Sequence, residues 1–466
     1  MKNLKLYKFV LVPAILLSLQ SCFVAKDYNR PEVVEDEFYR TDRLPQDSTN
    51  VVEISWREMF TDPILSSYID EGLANNIDIR IALQQIEAAQ AYVRQGKASY
   101  FPTLNVGAQA THQELSGNSQ FAALGNTSLD QFDLSANLSW EADIWGRIRS
   151  NDRAMQAAYL QSVAGHQAVK TELIANIASV YYQILALDEQ LRITEETIET
   201  RISSLETTRA LKEAGTVTEV GVQQTEAQLY RAQAVKVNLE NNIRLLENTM
   251  SILLGNAPHQ INRTTLDEQE DIPELMIGVP SELLRNRPDV IAAEYNLVNA
   301  FEFVNVARSS FYPSLRLTAS GGFQSLDIAE LLNTNSLFAN IVGSLTQPIF
   351  NQRQIRTQYE VAQAQEEIAF LNFRRALINA SREVSDALYN FEAAEERIEL
   401  KTKENIAYDL ATDYSEELLN NGMANYLEVL TARENALNSR LELINAELNR
   451  LFSIVDLYQA LGGGWQ

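Results

Sequence analysis

An internal repeat constrains this chain more than any other feature. "SYFPTL" at 99–104 returns as "SFYPSL" at 310–315. The flanks extend the match: "VRQGKASYFPTLNVGA" (93–108) lies over "VNVARSSFYPSLRLTA" (304–319) without a gap. In the same register Asp78 lies over Asp289, and each opens a helix-like stretch. "DIWGRIR" (143–149) then faces "PIFNQRQIR" (348–356), with two residues inserted, and "LKEAGTVTEV" (211–220) faces "LLNNGMANYL" (418–427). A unit of roughly 200 residues is written twice, so an argument about one half must hold for the other. Length alone would divide 466 residues into two or three domains; the repeat predicts two copies of one fold within one structure.

Within each copy the hydrophobic period changes. A helical stretch from about 62 runs to the first Phe-Pro, and then the period becomes two. Leu104, Val106, Ala108 and Ala110 alternate with polar residues or Gly, and so do Phe132, Leu134, Ala136, Leu138 and Trp140. The second copy supplies Leu315, Leu317 and Ala319, then Leu337, Ala339, Ile341, Gly343 and Leu345. These predict strands of about 9–11 residues, the length a tilted strand needs to cross a bilayer. A soluble hairpin would show the same alternation. Tyr100, Phe101, Trp140, Trp145, Phe311, Tyr312 and Phe350 cluster at strand ends, as in an interfacial girdle. Each Pro of the repeated phrase stops a helix and opens a strand. Long helices follow each strand pair. Ile177, Ile184, Leu191, Ile198 and Leu205 recur every seven residues beside Leu173, Val180 and Leu187. Leu377, Val384, Phe391 and Ile398 repeat the seam, and partner helices carry Leu239, Ile243, Leu246, Met250 and Leu253, then Leu437, Leu441, Ile444, Leu448, Leu451, Val455 and Tyr458. Sustained heptads predict coiled-coil packing.

Composition narrows the partners. A net charge of -24 argues against nucleic acid. One cysteine and three scattered histidines cannot build a conventional zinc or iron–sulfur site, and no cofactor is expected. No catalytic constellation is evident, so no enzymatic activity is expected. Lys2, Lys5 and Lys8 precede the apolar run "FVLVPAILLSL", which ends in "LQSC", the pattern of a lipoprotein signal peptide with Cys22 as the acylated residue. Gln20 stands where a small residue is usual. Beyond this segment no 18-residue apolar stretch exists to form a membrane helix.

Two strands per copy make four per chain, and four cannot close a barrel in lipid. Two chains would give about eight strands and three about twelve; physics leaves both open. The order helix, strand pair, long coiled helices, then all again, resembles the TolC-type outer membrane efflux factors, more narrowly the lipid-anchored branch serving RND multidrug pumps. "PSELLRNRPDVIAAE" (280–294), "SYFPTL", "WEADIWGRIR" (140–149) and "PIFNQRQIR" carry the likeness, which covers the chain to about Leu461. The resemblance implies a mainly α fold with transmembrane β: a homotrimer whose about twelve-stranded barrel continues into an about twelve-helix tunnel. It implies an outer membrane location with the helices in the periplasm, and a passive exit duct for an inner membrane RND-type transporter, reached through a periplasmic adaptor. A lipid-anchored periplasmic coiled-coil adaptor or scaffold is the alternative.

The expected organisation is a signal peptide (1–21), an extended arm (22–60), repeat 1 (61–255, strands about 102–112 and 130–142), a linker (256–277), repeat 2 (278–461, strands about 313–324 and 336–347) and a tail (462–466). Gly215 and Gly422 suit the positive-φ residue after a helix, and Thr218 and Asn425 the next N-cap. Glu428 then falls at N3 of an Asn-x-x-Glu capping box, which accounts for it as local structure. The resemblance adds two roles: Glu428 at a periplasmic gate, and Gly215, Thr216, Gly422 and Met423 as adaptor contacts. Gly221 holds the gate position in the first copy, and Thr431 stands one turn on, where the family can have a second acid. Pro288 and Asp289 read as an ordinary helix start, and His112 and His259 as loop residues. Acyl chains add about 0.8 kcal/mol of membrane affinity per CH₂, but membrane strands would hold the protein without them. Cys22→Ser is therefore expected to abolish fatty-acid labelling while leaving much of the protein in the outer membrane; full solubility of the unlabelled variant would overturn the barrel.

Overall fold

The computed structural model describes residues 24–31, 55–118, 128–269 and 287–463. Cys22 and the signal segment lie outside the described residues. Two compact units draw on interleaved parts of the chain, one from Met1–Pro31, Ile86–Ser162 and Ala293–Phe373, the other from Glu32–Gln85, Val163–Ala292 and Arg374–Gln466. In chain order the main elements are α1 (Trp56–Met59), α2 (Pro63–Asn75), α3 (Ile77–Ala98), β1 (Thr103–Glu114), β2 (Ser128–Ala142), α4 (Arg147–Glu213) and α5 (Glu219–Leu253). The second copy follows as α6 (Pro288–Ser309), β3 (Ser314–Ser325), β4 (Leu337–Thr346), α7 (Gln354–Asn420) and α8 (Tyr426–Ala460).

The first unit holds one antiparallel sheet in the order β1-β2-β3-β4. Pro102 and Pro313 stand just before β1 and β3, after α3 and α6 have ended. The entry to α4 is built by Asp143, whose carboxylate accepts from the backbone N–H groups of Ile148 at 2.8 Å and Arg149 at 3.0 Å. Gly146 makes the bend with φ +77°. The second copy has no glycine there: Gln352 and Arg353 take φ of 55° and 65° instead. Residues 24–31 are strapped to α6. Asn305 accepts from Lys26 N at 3.1 Å and donates to Lys26 O at 2.9 Å, Tyr28 packs edge-on to Phe301, and Arg30 pairs with Glu294.

The second unit is a helical core. Ile177, Ile184, Leu205, Leu377 and Val384 are buried on their seams, while Leu191, Ile198, Phe391 and Ile398 are half-buried. The expected extended arm ends differently. Residues 55–60 form a capped turn in which Ser55 and Glu58 make a reciprocal capping box, and Trp56 and Phe60 enter the core. Phe60 packs edge-on to Tyr458. The Asp62 carboxylate caps α2 and accepts from Tyr181 Oη, Thr264 Oγ1 and Gln269 Nε2. Burial alone would raise its pKa, but these hydrogen bonds outweigh it and hold the carboxyl below its ordinary value. The stretch expected as a linker contributes Ile261 and Leu266 to the same core. Arg287 is a buried cation at the start of α6, held by Asp289, by Glu383 at 2.6 Å and by Ala460 O at 2.9 Å.

Gly322 joins the halves of the sheet. A Cβ there would lie 2.0 Å from Leu134 O and 2.7 Å from Ser135 Cα, so β2 and β3 pair this closely only with glycine present. Gly321, the preceding residue on the same strand, has nothing nearer than 3.4 Å to its would-be Cβ. Gly322→Ala is expected to cost about 1–3 kcal/mol or more through overpacking and to lower the yield of protease-resistant protein in outer membranes. Gly321→Ala should match the parent; equal behaviour of both variants would refute the close-approach argument.

Candidate functional site

The sheet has two chemically distinct faces. Directly paired residues share a face, and the register sets apolar against apolar across all strands: Leu104↔Leu138, Leu138↔Ala319, Ala319↔Ile341. The opposite face pairs Asn105↔Asn137, Asn137↔Ser320 and Ser320↔Asn340. Along β3 the apolar stripe runs from Leu315 to Phe323, about 27 Å at 3.3–3.4 Å per residue before tilt, near the about 25 Å apolar band of outer membrane barrels. No helix among the described residues is long and apolar enough to cross a membrane. β1 and β4 are paired on one side only.

The aromatics expected at strand ends all stand at the end nearest the helices. Trp140 Nε1 donates to Tyr100 O at 2.9 Å, and Trp145 Nε1 to Pro313 O at 2.8 Å. Trp145 stacks on Tyr312, and Phe311 packs edge-on to Tyr359. On the polar face at this rim, Glu141 accepts from Arg147 Nε at 2.8 Å and lies 3.5 Å from Arg316 Nη2. At the far end His112 corrects the sequence reading. It lies within β1, not in a loop, because backbone pairing continues beyond the apolar stripe to Glu114↔Ser128. Its ring lies 2.6 Å from Asp130 and 3.3 Å from Glu114. His259 does follow a helix, near Ser251 Oγ.

In the other unit, the α4–α5 and α7–α8 turns end their helices alike. Gly215 N donates to Lys212 O and Thr216 N to Leu211 O; Gly422 N donates to Leu419 O and Met423 N to Leu418 O. This double closure needs a left-handed residue, supplied by Gly215 at φ 78° and Gly422 at φ 72°. Both would-be Cβ positions are open, so the glycines serve conformation, not space. The next N-caps differ. Asn425 Oδ1 accepts from Glu428 N at 3.1 Å, whereas Thr218 makes no side-chain cap bond. The capping box expected of Glu428 is only half made. Its carboxylate returns no bond to Asn425 N and has no hydrogen-bond or ion-pair partner among the described residues. Val220, Met423 and Leu427 are exposed apolar side chains beside these turns.

Cross-links between the two hairpins lie just behind the tips. Arg201, only 9% exposed, donates to Gln228 O at 2.8 Å and to Glu434 at 2.7 Å, and Arg231 reaches the other Glu434 oxygen at 2.9 Å. Arg433 bonds Glu416 and Ser204, and Thr225 Oγ1 donates to Tyr426 Oη at 3.2 Å. An open groove of about 960 Å³ remains between the hairpins, lined by hydroxyls such as Thr200, Ser203 and Thr207. The sequence reading missed this cluster. The signal available was positional: Arg201 falls between Ile198 and Leu205, and Glu434 between Leu430 and Leu437, so each charge sits inside an apolar seam. Removing the guanidinium leaves Gln228 O without that donor and Glu434 paired with Arg231 alone. Arg201→Met is therefore expected to weaken local stability by about 1.5–3 kcal/mol, read as roughly tenfold or faster hydrogen exchange at 198–208 and 430–437. Exchange in the sheet should not change; unaltered exchange at the hairpins would refute the clamp.

Comparison with known proteins agrees with this architecture. The family described as "Outer membrane efflux protein" matches residues 68–256 and 279–463. The solvent efflux pump outer membrane protein SrpC of Pseudomonas putida is 29% identical over 98% of this chain and 99% of its own. The cation efflux system protein CusC of Escherichia coli is 27% identical over 97% of this chain and 98% of its own. The crystal structure of the Campylobacter jejuni CmeC outer membrane channel superposes with a TM-score of 0.87 at 25% identity, covering 95% of each chain. With a four-stranded sheet, two long helical hairpins and a family match across both repeats, the chain belongs to the outer membrane efflux protein family.

Proposed function

We propose that this outer membrane channel of a tripartite efflux system is a passive exit duct assembled from three copies of the chain. The supporting observation is the four-stranded sheet with one continuous apolar face and two half-paired edges. Such a sheet needs other copies before lipid can surround it. Three copies give a ring of about twelve strands, wide enough to conduct, whereas about eight would be filled by side chains. The polar face then lines the lumen. Acylation of Cys22 adds a lipid anchor to this assembly.

The hairpin turns are the proposed meeting point with a periplasmic adaptor and, through it, an inner membrane RND-type transporter. Gly215, Thr216, Gly422 and Met423 are exposed there, Met423 to 69%. The solutes are small molecules handed over by the pump; solvents and cations are in the names of the relatives. The duct selects little by itself.

Glu428 is the candidate gate. It is exposed, and its carboxylate is free to act on the lumen because the cap beside it uses only its backbone N–H. Three such carboxylates near one axis would attract cations and repel one another. Glu428→Gln removes the charge and leaves the Asn425 cap in place. In planar bilayers the variant is expected to lose divalent-cation block and part of its cation selectivity. Glu428→Ala should keep the same assembly stability, since no return bond is lost. Channels of Glu428→Gln identical to the parent in conductance, block and selectivity would leave Glu428 with no gate role.

A further inference from the structure

Trp145 joins the two repeats within one chain. It follows β2, and its ring stacks on Tyr312 with centroids 4.9 Å apart while Nε1 donates to Pro313 O at 2.8 Å. Tyr312 and Pro313 precede β3, the strand hydrogen-bonded to β2. The stack thus clasps the exit of one strand to the entry of its neighbour. By the repeat, Phe350 occupies the place of Trp145, and Phe101 and Pro102 occupy the places of Tyr312 and Pro313. Phe350 is 98% exposed and Phe101 73% exposed. Neither has an aromatic partner among the described residues. They belong to the ends of β4 and β1, the two strands with a free edge.

We propose that Phe350 stacks on Phe101 of a second copy of this chain, and that this stack sets the register in which β4 meets β1 of that copy. The proposal rests on the reading that several copies close one barrel, and it adds the contact and the register. Carrying the β2–β3 pairing across the repeat, Trp140↔Leu317 becomes Leu345↔Val106 of the second copy. Likewise Leu138↔Ala319 becomes Gly343↔Ala108, and Ala136↔Gly321 becomes Ile341↔Ala110. Face chemistry is an independent check on this register. Every transferred pair sets an apolar-face residue against another, whereas a shift by one residue would turn one whole strand over. The joint between copies also differs from the joint within a chain. Phenylalanine has no N–H, so the seam has the stack without the hydrogen bond that Trp145 makes to Pro313.

The test is cysteine cross-linking of the full-length protein in outer membranes, with single variants as controls for Cys22. Oxidised Val106→Cys/Leu345→Cys is expected to give covalent oligomers up to three copies on denaturing, non-reducing gels. Val106→Cys/Gly343→Cys, which reports a two-residue slip, should cross-link weakly. Preference for the slipped pair, or no cross-link from protein that still forms native trimers, overturns the seam and leaves the trimer standing. No oligomer at all from the unmodified protein overturns the trimer reading itself. Phe101→Ala and Phe350→Ala should each lower the temperature at which the oligomer dissociates, and the double variant should fall no further than the worse single one. Additive losses overturn the stack.

Discussion

Lipid offers a peptide group no hydrogen-bond partner, so a strand edge cannot face hydrocarbon unpaired. β1 and β4 each have one such edge, and the continuous apolar face commits the same sheet to the bilayer. The two facts together exclude a closed membrane part made by one copy. The helical unit is free of this constraint, because helices satisfy their backbone groups internally. Its core closes within one chain around residues such as Tyr181, Ile177 and Tyr458. One sequence unit therefore yields helices whose backbone needs no second copy and a sheet whose edges do, although apolar side chains such as Val237, Ile252 and Leu400 remain exposed along the helices.

Much of the fold was legible because it repeats at short period. Alternation located the strands, heptads located the seams, and the phrases Tyr-Phe-Pro and Phe-Tyr-Pro marked the change from one to the other. Gly215 and Gly422 were legible because a helix end followed at once by another helix needs a left-handed residue. What escaped was either non-local or of mixed period. The Arg201–Glu434 pair spans 233 positions, and no local pattern announces it. Arg287 precedes the helix start read at Pro288 and Asp289 and drew no reading of its own, yet its guanidinium ties α6 to α7 and α8. His112, at the expected end of the first strand, was read as a loop residue because the apolar stripe ends before the backbone ladder does. The turn at 55–60 carried a readable Ser-x-x-Glu signature inside an otherwise unpatterned stretch. For Glu428 the motif was right about the backbone and wrong about the carboxylate, which makes no return bond.

The repeats are alike in outline and different where they meet function. Trp145 has a ring partner and a carbonyl partner, while Phe350 has neither among the described residues. Thr218 and Asn425 occupy equivalent caps, but only Asn425 closes its bond. Gly146 and the pair Gln352–Arg353 solve the same bend with different backbone strain. Divergence has thus spared the periodic positions and altered the junctions.

The connectivity of the sheet has a consequence for supply. β1–β2 and β3–β4 are hairpins, but residues 143–313 separate β2 from β3. That long insertion still tethers the two hairpins, and the entropy of closing it grows only slowly with its length. In the proposed ring no tether joins β4 to another copy, so each seam between copies would form by collision within the membrane and obey mass action. A ring that needs several such seams depends more than proportionally on the number of chains available. While unassembled copies remain, halving expression should thus more than halve the number of finished rings, so export capacity would follow the dose of this one chain steeply.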